Sequence, residues 1–451
     1  MTIVEIIKRF TAPALPVATK EYDQKYFNQL LSILRIYFNQ LDNLLGQLVS
    51  GANGDGVNVK FFGGAIDAFG RARTSQPYTL FDSQNRYAKN DLFDETTASG
   101  GSVAYNSNTS TVEMTVNASS GSEVVRQTYR SFSYQPGKSL LVMNTFVMPN
   151  TASNQRIRIG YFNTENGVFL ERDGSDVYFT RRTRVTGSTV DNRVAQSAWN
   201  GDTLDGTGKS GFTLNLTKAQ IFWEDFEWLG VGSVRCGFII DGQIIVCHTF
   251  NNANNLTNVY MTTAILPVRY EIRNTGASSG RTLRQICSTV ISEGGYEKTV
   301  ATDVARMTTA NTAISTTFVP LVSIRLASGR TEAVVIPDGY NVLPTASSTT
   351  TFEVVMVKNP TLTGASWVAT SSANVEMDIS ATSYTGGTII HSDYILSSNQ
   401  ARNTLVSGPE YNWDMQLGAT IGGVSDIYTI AVRTLSGTQN AIGSMSFWDL
   451  T

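Results

Sequence analysis

Apolar positions follow a helical period near the start of this chain and a strand period almost everywhere else. Phe27, Leu34, Leu41 and Leu48 recur every seven residues, with Leu31, Phe38 and Leu45 between them at spacings of four and three. That a/d pattern predicts an α-helix that buries one stripe against another helix. Leu30, Tyr37 and Leu44 widen the stripe beyond a two-stranded seam, which favours three or more helices, or a helix that also packs on something else. Asp23 stands as an N-cap, and Ser50-Gly51-Ala52-Asn53-Gly54-Asp55-Gly56 supplies turn residues to end the helix. The seven a/d residues are the candidate oligomerisation or docking set. The alternative is a single amphipathic helix lying along its own β domain.

Past this helix the chain reads as short strands. Leu140–Val147, Arg156–Phe162, Val168–Glu171, Val177–Arg182, Phe212–Leu216, Tyr260–Ala264 and Val268–Arg273 alternate or are apolar throughout, with turn residues between them. Asp241-Gly242 between Val234–Ile240 and Gln243–Thr249 predicts a type I′ hairpin, with Cys236 directly opposite Cys247 as a pair of buried thiols. A Thr/Ala-rich stretch, Lys298 to Thr317, reads as a boundary; Leu321–Leu326, Thr331–Ile336, Thr351–Val357, Asn374–Ile379, Tyr428–Val432 and Gly443–Trp448 follow it, and packing is expected to pin the last strand.

The predicted fold is therefore mainly β: an N-terminal helical stem, a jelly-roll-like antiparallel β-sandwich and a second, smaller β-sandwich. The corresponding domains are 1–56, a connecting segment with short strands at 57–97, the large sandwich at 98–300, and a C-terminal β domain at 301–451.

Composition agrees with this reading. Charged residues are 16% of the chain, below the roughly 25% usual in soluble domains, and Gly, Ser, Thr and Asn take their place. A formal net charge of −3 argues against wrapping nucleic acid. Arg181-Arg182-Thr183-Arg184 is read as a solvated edge or a subunit contact. No apolar run is long enough for membrane insertion, Met1 to Phe10 lacks a signal-peptide core, and three cysteines make no disulfide framework, so synthesis in a host cytoplasm is expected.

Little of the chemistry of catalysis is present. The chain has two histidines, His248 and His391, and none of the nucleophile-elbow, Walker, dinucleotide or zinc-protease motifs. Trp223-Glu224-Asp225-Phe226-Glu227-Trp228 is the acidic cluster of most interest, with calcium binding or a turn as alternatives to catalysis, but glycosidases on lectin-like sandwiches place carboxylates at i, i+2 and i+4 of one strand. Here Glu224 and Glu227 fall on opposite faces, and Phe226 stands where a carboxylate would have to be. Asp202 and Asp205 are read as Asx turns closing a loop, and Trp199, Trp223, Trp228 and Trp367 mainly as packing residues, with sugar stacking as the alternative. The expectation is a non-enzyme with no cofactor and no metal.

Several blocks carry a resemblance. Pro13-Ala14-Leu15-Pro16, Glu21-Tyr22-Asp23, Tyr26-Phe27-Asn28-Gln29-Leu30 and Tyr37-Phe38-Asn39-Gln40-Leu41-Asp42 resemble the opening of virion structural proteins from marine and cyanobacterial short-tailed phages. Asp67-Ala68-Phe69-Gly70-Arg71-Ala72-Arg73-Thr74 with Thr79-Leu80-Phe81-Asp82-Ser83, and later Arg158-Ile159-Gly160-Tyr161-Phe162 and Leu266-Pro267-Val268-Arg269-Tyr270-Glu271-Ile272, are similar to blocks that follow in such proteins. The resemblance implies a multi-copy particle component located in the virion, with other tail, neck or capsid proteins as partners. It supplies no catalytic residues. A homotrimer about the helix, a fibre- or spike-like role, capsid decoration, and recognition of a host surface glycan are the functions to weigh.

Overall fold

The computed structural model describes residues 24–50, 76–298, 300–345, 349–397 and 413–451. The chain divides into two compact units, Met1–Thr74 and Ser75–Thr451. In the first, the predicted helix is present as Gln24–Ser50. Asp23 lies outside the described residues, as do the side chains of Leu41, Leu45 and Leu48.

The second unit is antiparallel β throughout its named sheets. Its larger sandwich sets an eight-stranded sheet against a seven-stranded one. The first sheet runs Gln243–Phe250, Val234–Ile240, Gln220–Phe226, Leu140–Val147, Arg281–Ser292, Thr111–Val116 and Ser102–Asn106, with Tyr78–Ser83 also paired to Arg281–Ser292. The second runs Val190–Ala195, Asp176–Thr183, Gly167–Asp173, Gln155–Phe162, Val268–Asn274, Glu123–Thr128 and Phe93–Ala98. Alternation decides what fills the space between them. In Leu140–Val147 every second residue is buried, and Val142 and Phe146 meet Ile157, Ile159, Leu170 and Tyr270 in one core. Each fully buried Val, Leu or Phe there contributes roughly 1.5–3 kcal/mol relative to exposure.

The smaller sandwich has its own core of Leu321, Ile324, Phe352, Val354, Ile430 and Phe447. Gln439–Asp449, close to the last residue, is the centre of its four-stranded sheet, pairing with Val335–Pro344 on one side and with Thr302–Arg306 and Asn311–Ile314 on the other. Opposite lies a six-stranded sheet centred on Val319–Leu326, Ile427–Thr434 and Thr350–Lys358. The two sandwiches are joined tightly. Val334 and Ile336 enter the larger core, Ala419 N–H donates to Tyr129 O at 2.8 Å, and Gln416 Nε2 donates to Ser131 O at 2.7 Å.

Four expectations are corrected. The Asp241-Gly242 hairpin forms, with both residues at positive φ, but Cys236 faces His248 and Gly237 faces Val246. Cys247 is the extra residue of a β-bulge. Gly237 permits it, because a Cβ there would come within 1.9 Å of Ile245 O and 3.0 Å of the Trp223 ring. Both thiols are nevertheless buried and free. Phe212–Leu216 and Tyr260–Ala264 are not strands; they are irregular segments whose apolar residues, Leu216, Tyr260 and Met261 among them, plug the large core. The polar stretch Lys298–Thr317 holds two strands, polar because they flank the sheet at its edge. Finally, Arg182 is buried and not solvated.

Candidate functional site

On the helix, two residues of the predicted stripe are open to solvent, Leu31 at 48% and Phe38 at 57%, while Ile36, 55% exposed, lies on the opposite side of the helix. Phe27 is also exposed, and Leu34 half-buried. An uncovered apolar stripe is what a partner helix would bury.

The acidic stretch divides between two faces of the first sheet. Phe222, Glu224 and Phe226 point into the core; Trp223 and Asp225 point outward. Glu224 is 0% exposed, lies opposite Val142 and Cys236 in register, and its Oε2 accepts the backbone N–H of Tyr161 from the other sheet at 3.0 Å. Its Oε1 has no hydrogen-bond partner. Burial pushes this carboxyl well above its ordinary pKa, and the Tyr161 N–H opposes the shift only in part. Burial in this apolar interior therefore favours its protonated, neutral form.

Outside, Asp225 and Glu227 border a cleft of about 520 Å³ shared with Tyr134, Lys138, Ser233 and Arg235. Both oxygens of Asp225 are engaged, Oδ1 by the Ser139 hydroxyl and Oδ2 by Arg235. Glu227 Oε2 accepts the Ser233 N–H at 3.4 Å. General acid–base hydrolysis of a glycoside uses two carboxyl groups about 5–10 Å apart and facing one space. Glu224 faces away and Asp225 is committed to a cation, so the cleft offers polar contacts and not a matched acid–base pair. Its polar groups could hold the hydroxyls of a sugar.

Sequence reasoning missed the densest charged constellation, on the outward face of the second sheet. Arg158 lies near three carboxylates: Glu171 at 3.4 Å, Asp191 at 3.0 Å and Glu271 at 3.7 Å. Arg182 bonds Asp191 at 2.8 Å, Arg193 bonds Glu171 at 2.5 Å and Arg269 bonds Glu271 at 2.6 Å. Beneath them Phe162 and Phe169 are fully buried, with the Arg158 and Arg182 guanidiniums over the Phe169 ring at 5.2 and 5.1 Å. Burial alone would raise Asp191 and Glu271. The hydrogen bonds and charges of Arg182 and Arg158 outweigh it at Asp191, the charges of Arg269 and Arg158 at Glu271, and both carboxyls are held below their usual range. Such carboxylates stay ionised and cannot serve as proton donors at neutral pH. The one available signal was parity: Arg156 and Arg158, Glu171 and Asp173, and Arg269 and Glu271 each sit two apart on strands that pair in register.

The other singled-out residues are structural. Asp202 Oδ1 accepts the Leu204 N–H and Asp205 Oδ1 the Thr207 N–H, both Asx turns. Trp199 stacks on Phe179 at 4.2 Å, and Trp367 lies under Arg325. His391 Nε2 meets Asp393 at 2.7 Å, and His248 is buried in the large sandwich. Among the described residues, no cluster of three or more His, Cys, Asp or Glu is placed to hold a metal ion, and no helix is long and apolar enough to cross a membrane.

No protein-family model and no curated protein sequence matches this chain. Solved structures do align with about half of it. A β-glucanase of Bacillus licheniformis is 12% identical, covering 48% of this chain and 99% of its own at a TM-score of 0.30. A carbohydrate esterase from Shiga toxin-encoding bacteriophage phi24B is 10% identical, covering 48% and 99% at 0.30. The carbohydrate recognition domain of Emp47p is 8% identical, covering 49% and 99% at 0.32. Similarity of this order carries nothing about function, and the sandwich assignment rests on the sheets themselves.

Proposed function

We propose that this chain is a non-enzymatic structural component of a bacteriophage particle, trimeric through its N-terminal helix and exposing its β-sandwiches as a fibre- or spike-like body. The observation that carries this reading is the helix, whose stripe residues Leu31 and Phe38 remain about half exposed. A stripe widened in sequence by Leu30, Tyr37 and Leu44 suits three helices, and a three-fold ring closes without leaving a free edge. The test is solution mass by light scattering. The wild-type chain is expected as a trimer, and Leu31→Asp with Phe38→Asp as a monomer with unchanged β-type circular dichroism. An unchanged mass in the variant, or a monomeric wild type, sinks the seam.

A second reading, recognition of a host surface glycan by the same particle protein, is favoured by the polar cleft beside Asp225 and Glu227. Glu227→Gln is then expected to weaken glycan binding about tenfold, the loss of about 1.4 kcal/mol of polar contact. Absence of saturable binding to any host polysaccharide by the wild type removes this reading.

A further inference from the structure

Among the described residues, six arginines are buried: Arg126, Arg130, Arg158, Arg172, Arg182 and Arg269. Five of them meet a carboxylate, from Glu95, Asp414, Glu171, Asp191 and Glu271 respectively. Arg172 is the exception: it is 3% exposed and makes no ion pair among the described residues. A buried charge left unpaired costs several kcal/mol in general, so a missing counter-charge calls for an account.

Arg172 stands on the interior face of the second sheet, near the end of its strand, opposite Ile157 and Val177 in register. Its Nη1 donates to Pro149 O at 2.6 Å, and its Nε is buried without an acceptor. Arg281 approaches from the first sheet, at the start of Arg281–Ser292 and opposite the interior residue Val116. Its Nε donates to Asn150 O at 3.3 Å and its Nη1 to Gly280 O at 3.1 Å. The two guanidiniums are thus tied to adjacent carbonyls of one loop. Burial, and then the like charge of Arg281, push Arg172 down to about 10. Like charges brought together over neutral carbonyls leave an excess of N–H donors and positive potential, the arrangement an oxyanion completes.

We propose that Arg172 and Arg281 form an oxyanion site at this end of the large sandwich, taking a carboxylate, sulfate or phosphate group. The site shares no residue with the polar cleft and does not rest on the helix, so its failure leaves the proposed particle role untouched.

The test uses the full-length chain at constant ionic strength, exchanging sodium chloride for sodium sulfate and, in a second arm, for sodium glucuronate. Sulfate stabilises proteins generally by exclusion, so the readout is the difference between wild type and variant. A saturable rise in Tm is expected for the wild type in at least one arm, and sulfate acting alone would mark an inorganic or ester anion, glucuronate a sugar-borne carboxylate. Arg281→Gln should weaken that response at least tenfold. Arg172→Gln should abolish it while being no less stable than the wild type in chloride, since it removes an uncompensated charge. If Arg172→Gln fails to fold, Arg281→Gln decides alone. Equal responses in wild type and Arg281→Gln, or no saturable response to either anion, overturn the site.

Discussion

The large sandwich buries charge in two opposite ways. On the outward face of its second sheet Arg158, Arg182, Arg193 and Arg269 are interleaved with Glu171, Asp191 and Glu271, each cation within reach of a carboxylate. In its interior Glu224 has only a backbone N–H for company, and at one end Arg172 has only a carbonyl. The first arrangement favours ionised carboxylates; the second favours the neutral form of an acid. The difference shows that burial by itself fixes neither charge state nor role. What decides is whether strand register brings an opposite charge to the same face.

The largest effect is expected from breaking the paired face. Arg158→Met removes a cation shared by three carboxylates and leaves Glu171, fully buried, with Arg193 and the more distant Arg156. Breaking a buried pair from one side costs about 3–5 kcal/mol, and urea denaturation should show a loss of that order. Arg184→Met is the control: its ion pair with Glu165 is exposed and should be worth at most about 1 kcal/mol. Equal small losses in both variants would mean that the face behaves as an ordinary solvated surface.

Much of this fold was legible because alternation is a local property. Leu140–Val147, Arg156–Phe162 and Val177–Arg182 could be placed from their own residues, and Phe222-x-Glu224-x-Phe226 already set Glu224 on the face opposite Asp225. What escaped depends on partners distant in sequence. The bulge at Cys247 arises from Gly237 approaching Ile245 O, which shifts every pairing outward from it. The strands within Lys298–Thr317 have no apolar run of their own and exist because Gln439–Asp449 offers them an edge. Glu271 and Arg158 are 113 residues apart, and nothing short-range announces that they face each other. The helical stripe was plain from its heptads, yet a heptad names no partner, which is why the oligomer remains a matter for solution mass.

The interior side of the comparison is sharpened by pH. Glu224 has a folded-state pKa above its unfolded value, so the fold holds this proton where the unfolded chain has released it. The stability linked to that proton is whole below about pH 4.3, the ordinary glutamate value, and is lost as pH rises from there towards the folded pKa. Asp191 and Glu271 have the opposite sign: their folded values are depressed, and their contribution is present above the ordinary carboxylate range and lost as pH falls through the folded values. Glu224→Gln keeps an acceptor for the Tyr161 N–H and cannot ionise. Its stability relative to wild type is therefore expected to grow between pH 5 and pH 8, by at most about 1.4 kcal/mol per pH unit and less where water reaches the ionised group. The acid-side loss should be the same in both proteins, because the paired face is intact in each. Urea curves at pH 5, 6.5 and 8 separate the two effects. A stability difference that stays flat across this range would mean that Glu224 is not neutral in the fold, and that an unseen positive charge or solvent path reaches the core at Cys236.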